Sequence, residues 1–208
     1  VPEIIEYCNR FVYQSLLDVK TSPLISDWPA LGYCHVGGSS IQHHGTRSNP
    51  VEARAIVAWI KNNRENLTKR YNASLADILA IITPFRGQRD AVVASLKAEG
   101  IYEKDIVVGT VHSLQGAEKP VVIFSPVYGR NHQRERLFFN QTYNMLNVAV
   151  SRAKNHFLVF GNMNLFRPGA TDTPAGDLGK LLFRKPDNEI SNDFLFAGNE
   201  INYFDQEP

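Results

Sequence analysis

Four short, nearly unbroken apolar runs constrain this chain more than any other feature: Ile78–Ile82, Ile106–Thr110, Val121–Ser125 and Phe157–Phe160. A strand with one wet face alternates apolar and polar residues, whereas a strand covered on both faces does not. Helical signals lie between these runs. Arg86 to Glu99 reads as a helix stopped by Gly100, a residue suited to the left-handed position past a helix end. Thr142 to Lys154 reads as another. Asn49-Pro50-Val51-Glu52 is a helix start, with Asn as cap, Pro at the first position and Glu at the third. Val51, Ala55, Ile56, Trp59 and Ile60 give that helix one apolar face. Upstream, residues 1 to 20 have amphipathic helical spacing, Leu31–Val36 suits a short strand, and Gly37–Asn49 is a polar loop. Buried strands alternating with helices predict an α/β fold, a mostly parallel sheet covered by helices on both faces. Ligands of such sheets gather at the carboxyl ends of the strands, so the residues after each strand are the ones to read for function.

Composition narrows the function. The 208 residues carry 22 Lys and Arg against 21 Asp and Glu, a formal charge of +1. Nucleic-acid binding through bulk charge is excluded; any such contact must be local or shared with another part. The two cysteines, Cys8 and Cys34, make neither a disulfide framework nor a metal site. The longest apolar run, Ala55–Ile60, is far short of the roughly 18 residues that span a bilayer. The opening Val1-Pro2-Glu3 has no signal-peptide character and no Met, as expected of a piece of a longer, cytoplasmic chain.

Three segments carry the chemistry. Thr83-Pro84-Phe85-Arg86-Gly87-Gln88-Arg89 can hold a phosphate through hydroxyl, amides and a helix start, or can simply join strand to helix. Val111–Glu118 offers hydroxyls, Gly116 and a carboxylate to a nucleotide, or is a polar loop. In Met145–Lys154, Val148 and Arg152 share a helix face, so an apolar stripe bears one guanidinium. That cation can neutralise a transferring phosphoryl group, or only favour the negative helix end. Gly176-Asp177-Leu178-Gly179-Lys180 ends in Gly-Lys but lacks the spacing and the following Ser or Thr of a P-loop. Arg130, Arg134 and Arg136 are the densest basic cluster.

In this order and spacing, three stretches resemble motifs IV, V and VI of superfamily 1 helicases, in the branch of the RNA-decay and Okazaki-fragment-processing helicases. They are Ile81–Gln88 (IITPFRGQ), Thr110–Glu118 (TVHSLQGAE) and Asn147–Lys154 (NVAVSRAK). Ile4–Tyr13 resembles the helix after that family's Tyr-Arg motif, and Asn49–Ala53 the segment opening the helix before motif IV.

The resemblance covers residues 1–182 and implies a RecA-like three-layer sandwich, the second of two such domains. Residues 1–30 would be its leading helix and connector, and 183–208 a polar C-terminal extension. It implies ATP and Mg2+ as cofactors, with P-loop and Mg2+ ligands on the first domain, which is absent from this sequence. No metal ligand is expected here. By motif, Arg152 would be the catalytic arginine at the γ-phosphate, Glu118 would meet the ribose, and Gly116 would let backbone approach the nucleotide. Thr83 and Thr110 would hold the backbone of single-stranded DNA or RNA, supported by Phe85 and Gln88. The family often has Asp and an aromatic where this chain has His112 and Leu114. The rival readings are a non-catalytic nucleic-acid-binding or scaffold module of the same fold, and a small-ligand domain that lacks the Gly-x-Gly-x-x-Gly fingerprint.

Overall fold

The computed structural model describes residues 1–9, 27–110, 118–129, 131, 137–140, 143–167, 173–191 and 193. Five strands form one sheet: β1 (Leu31–His35), β4 (Leu79–Thr83), β5 (Val107–Thr110), β6 (Lys119–Phe124) and β7 (Ala153–Gly161). Their order is β1-β7-β6-β4-β5, and every neighbouring pair is parallel. The apolar runs dictate the layering. Ala80, Ile82, Val122, Phe124, Phe157 and Val159 point into a core shared with α1 (Pro2–Cys8), α5 (Tyr143–Ser151) and α6 (Pro174–Leu182). Leu79, Ile81, Val121, Ile123, Leu158 and Phe160 point into a second core with α2 (Pro50–Tyr71), α3 (Leu75–Ile78) and α4 (Arg86–Ala98). The result is the three-layer α/β sandwich that unbroken apolar strands require.

Local signals worked as physics demands. The Asn49 side chain accepts the Glu52 N–H at 3.2 Å, and Pro50 opens α2. Gly100 follows α4 at φ 66°, a conformation that costs a residue without Cβ little.

Four expectations change. The polar loop 37–49 holds a hairpin, β2 (Ile41–His43) and β3 (Thr46–Ser48), in which His43 pairs with Thr46. Its two-residue turn, His44-Gly45, has φ of 44° and 78°, as a tight hairpin turn needs. Three exposed residues in β2 and three half-buried polar ones in β3 left no apolar alternation to reveal it. The helix predicted over 142–154 ends at Ser151, because the Arg152 carbonyl accepts the Lys119 N–H at 3.0 Å and starts the β6–β7 ladder. β7 is accordingly nine residues long, and it takes up an extra residue opposite Pro120, which has no N–H to offer. Lastly, the stretch after 182 is not simply appended: Ile190 N–H donates to the Tyr33 carbonyl at 2.7 Å and Glu189 bridges β1, so residues to 190 finish the sheet edge.

Candidate functional site

The site residues divide between opposite edges of the sheet. Thr83 and Thr110 are register partners at the carboxyl ends of β4 and β5. Glu118 and Arg152 lie at the amino ends of β6 and β7, flanking the Lys119–Arg152 ladder bond. Ile82 pairs with Phe124, and Lys119 lies five residues back along β6, so the two edges are separated by about 17 Å at ~3.3 Å per residue. The candidate residues Glu118 and Arg152 thus immediately precede strands, at the edge opposite the strand ends where the sequence reading sought ligand-binding residues. Gly116, His112, Leu114 and the Arg130, Arg134 and Arg136 cluster lie outside the described residues.

At the carboxyl edge, Thr83 is fully buried and its Oγ1 accepts the Phe85 N–H at 3.4 Å. The amide of Gly87, on the first turn of α4, is already taken by Thr46 Oγ1 at 2.9 Å, so it is not an open phosphate donor. Thr110 and Phe85 are half-buried. Gln88 is a supporting residue in the mechanical sense only: it has no exposed surface, and its amide spans two segments. Its Oε1 accepts the Asn49 N–H at 2.7 Å, while its Nε2 donates to the Asn49 carbonyl at 3.3 Å and to Ser125 Oγ at 2.9 Å.

That network ends on a residue whose sequence position marked only a helix start. Glu52 at the third helical position would ordinarily reach back to the N–H of its cap residue. Here Gln88 occupies that N–H and frees Glu52 for the loop after β6. Ser125 Oγ donates to Glu52 Oε1 at 3.1 Å, and the Val127 N–H reaches both carboxyl oxygens, at 3.1 and 3.0 Å. Val127 has φ 75°, which a β-branched residue adopts only under constraint, at about 1–3 kcal/mol. Burial pushes the Glu52 carboxyl up to about 8, against the pull of the Val127 and Ser125 hydrogen bonds. Nothing but its place beside the helix cap could have signalled this residue.

At the amino edge, Arg152 follows α5 in a turn, its N–H bonded to the Ala149 carbonyl at 3.2 Å. One terminal nitrogen, Nη2, donates to Ser151 Oγ at 3.3 Å. Its Nε is buried with no hydrogen-bond partner, as is Oδ1 of Asn147 on the same segment. Among the described residues no carboxylate forms an ion pair with Arg152. α1 packs against α5 from outside; burial pushes its Cys8 thiol up to about 11, its own backbone hydrogen bond and the Arg152 charge opposing the rise. Glu118 is exposed. The Gly179-Lys180 pair that imitates a P-loop lies within α6, where Lys180 holds Asp177 at 2.7 Å.

A family model described as an AAA domain matches residues 1–164. The chain belongs to this family and is a superfamily 1 helicase domain. This helicase domain is 30% identical over 145 residues to ATP-dependent helicase upf1 of Schizosaccharomyces pombe, covering 65% of this chain and 14% of that protein. It is 35% identical over 86 residues to DNA polymerase alpha-associated DNA helicase A of the same yeast, covering 41% and 12%. With helicase sen1, also from that yeast, it shares 29% identity over 125 residues, covering 59% and 7%. The domain thus spans a small part of the relatives it matches. A solved structure described as the C-terminal domain of a possible DNA helicase from Lactobacillus plantarum WCFS1 superposes with a TM-score of 0.45 at 17% identity, over 77% of this chain and 83% of that one. Among the described residues no helix is long and apolar enough to cross a membrane.

Proposed function

We propose that this domain completes the ATP site and part of the nucleic-acid track of an ATP-driven helicase. The observation that carries the reading is Arg152. A buried guanidinium N–H without a partner costs about 1–3 kcal/mol or more, so its retention makes sense if a ligand from outside the domain supplies the acceptor. A triphosphate fits that donor: its oxygens match the planar guanidinium fork, and ATP brings charge that grows as the γ-phosphoryl group leaves. Exposed Glu118, on the same edge, suits the ribose hydroxyls, and Gly116 close backbone approach. By the resemblance to superfamily 1 helicases, the Mg2+ ligands belong to the first domain, together with the P-loop. Phe85 and Thr110 belong to the track for single-stranded DNA or RNA, and the fully buried Thr83, expected from its motif to hold the nucleic-acid backbone, instead braces them from within together with Gln88. An intracellular setting follows from this activity. A scaffold module of the same fold would have no use for an unpaired arginine on the nucleotide edge.

The test is Arg152→Lys in the intact, full-length protein, measuring ATP turnover beside the melting temperature. Comparable arginines supply about 10³ to 10⁵ in rate, and a compact ammonium does not reproduce their two-pronged contact. Turnover lost at nearly constant ATP affinity and melting temperature supports the role. Near-normal turnover ends it, leaving a helix-end arginine worth about 0.3–1 kcal/mol of stability.

A further inference from the structure

The carboxyl edge bears an aromatic surface that the motif residues alone do not describe. Tyr128, in the loop that Glu52 clamps, is 5% exposed and acts as its floor. Its ring meets Phe85 edge-on at 5.4 Å and Phe139 at 5.8 Å between centroids, and its hydroxyl accepts the Phe138 N–H at 3.2 Å. Phe138 lies 6.3 Å from Phe85 with the rings tilted by 37°, and remains 40% exposed. Arg47, on β3, extends its guanidinium over the Tyr128 ring at 5.9 Å. Arg86 is exposed one residue after Phe85. Arg47 also donates to Ser40 Oγ at 3.5 Å, while Glu52 is buried beneath with its carboxyl held by Val127 and Ser125, and Asp90 is paired with Arg89 at 2.8 Å.

Two neighbouring rings at the surface, one of them left substantially wet, with Arg47 over the adjoining Tyr128 ring and an exposed Arg86 next to Phe85 in the chain, match the chemistry of a single strand. Every base has a π face, and stacking is indifferent to sequence, while the arginines suit the intervening phosphates. Such a surface also answers the charge problem, because a chain with a net charge of +1 must draw affinity from something other than bulk attraction.

We propose that Phe138 and Phe85 form a stacking platform for a base of the single-stranded nucleic acid, with Arg47 and Arg86 facing the adjoining phosphates. This rests on the nucleic-acid reading given above and adds the residues that meet bases rather than backbone. The hairpin β2–β3 then has a purpose: Thr46 fastens it to α4, Asn131 fastens its base at Ser40 by bonds of 3.2 and 3.1 Å, and Arg47 is thereby fixed beside the rings.

The experiment uses the intact protein with two fluorescent probes of equal length, oligo-dT and the same strand with abasic sites throughout. Phe138→Ala weakens oligo-dT binding about five- to a hundredfold, as one lost base stack should, and leaves the abasic strand unaffected. Phe138→Trp restores binding, and Arg47→Gln makes binding to both strands less salt-dependent. Equal loss on both strands overturns the platform, as does unchanged affinity on both, the outcome for a patch that docks a protein instead. Failure of the wild-type protein to bind either strand sinks the nucleic-acid reading itself, a result distinct from binding that ignores the bases.

Discussion

Glu52 makes the stability of this domain depend on pH in a direction opposite to that of a carboxylate held in its charged form by an ion pair. In the unfolded chain its carboxyl titrates near 4.5; in the fold, burial holds it at about 8. Below pH 4.5 it is protonated in both states and its contribution is fully present. As pH rises from there the unfolded chain releases the proton while the folded one keeps it, so stability is lost progressively until about pH 8. At about 1.4 kcal/mol per unit, the window from pH 5 to pH 8 is worth about 4 kcal/mol. His156 runs the other way: burial lowers its pKa despite the 2.9 Å contact of Nδ1 with the Pro29 carbonyl, so it gains stability as pH rises toward 6.5. Comparing wild type with Glu52→Gln removes that background. The variant keeps an acceptor for the Val127 N–H but presents an amide to Ser125 Oγ, which already receives Gln88 Nε2. It therefore starts out less stable at pH 5 and gains on the wild type by about 4 kcal/mol by pH 8. Urea unfolding of both proteins at half-unit pH steps measures this. Parallel stability curves would refute the assignment of a protonated Glu52.

Two simpler outcomes follow from packing. Gly179→Ala should cost about 1–3 kcal/mol or more, since an added Cβ would run into the carbonyl oxygen of Phe166, backbone that cannot step aside; a melting temperature within a degree of wild type would contradict this. Cys8 and Cys34 should both be inert to a thiol reagent at pH 8 in the folded protein and reactive in urea. Burial raises them to about 11 and about 12, for Cys34 with help from the Glu189 charge, and fast native-state labelling of either would count against the fold around it.

The sequence by itself determined the layers and the family. Ile78–Ile82, Val121–Ser125 and Phe157–Phe160 have no polar face, so they had to be interior strands of a covered sheet, and Asn49, Pro50 and Gly100 punctuate helices through forces confined to a few neighbouring residues. The stretches Ile81–Gln88, Thr110–Glu118 and Asn147–Lys154, taken together, likewise carried the resemblance to the helicase family. What only the tertiary structure decided is how these segments face one another. Arg152 looked like a residue on a helix face after one strand, yet a ladder bond from Lys119 ends the helix and sets it with Glu118 at the amino edge, away from Thr83. Gln88 looked like part of a binding loop, yet its amide is spent on Asn49 and Ser125. Glu52, Tyr128 and Arg47 gave no local sign of their parts, because each acts on a partner dozens of residues away. Hydrogen bonds and ring contacts between distant segments depend on register and chain crossing, and those are settled only when the whole sheet is assembled.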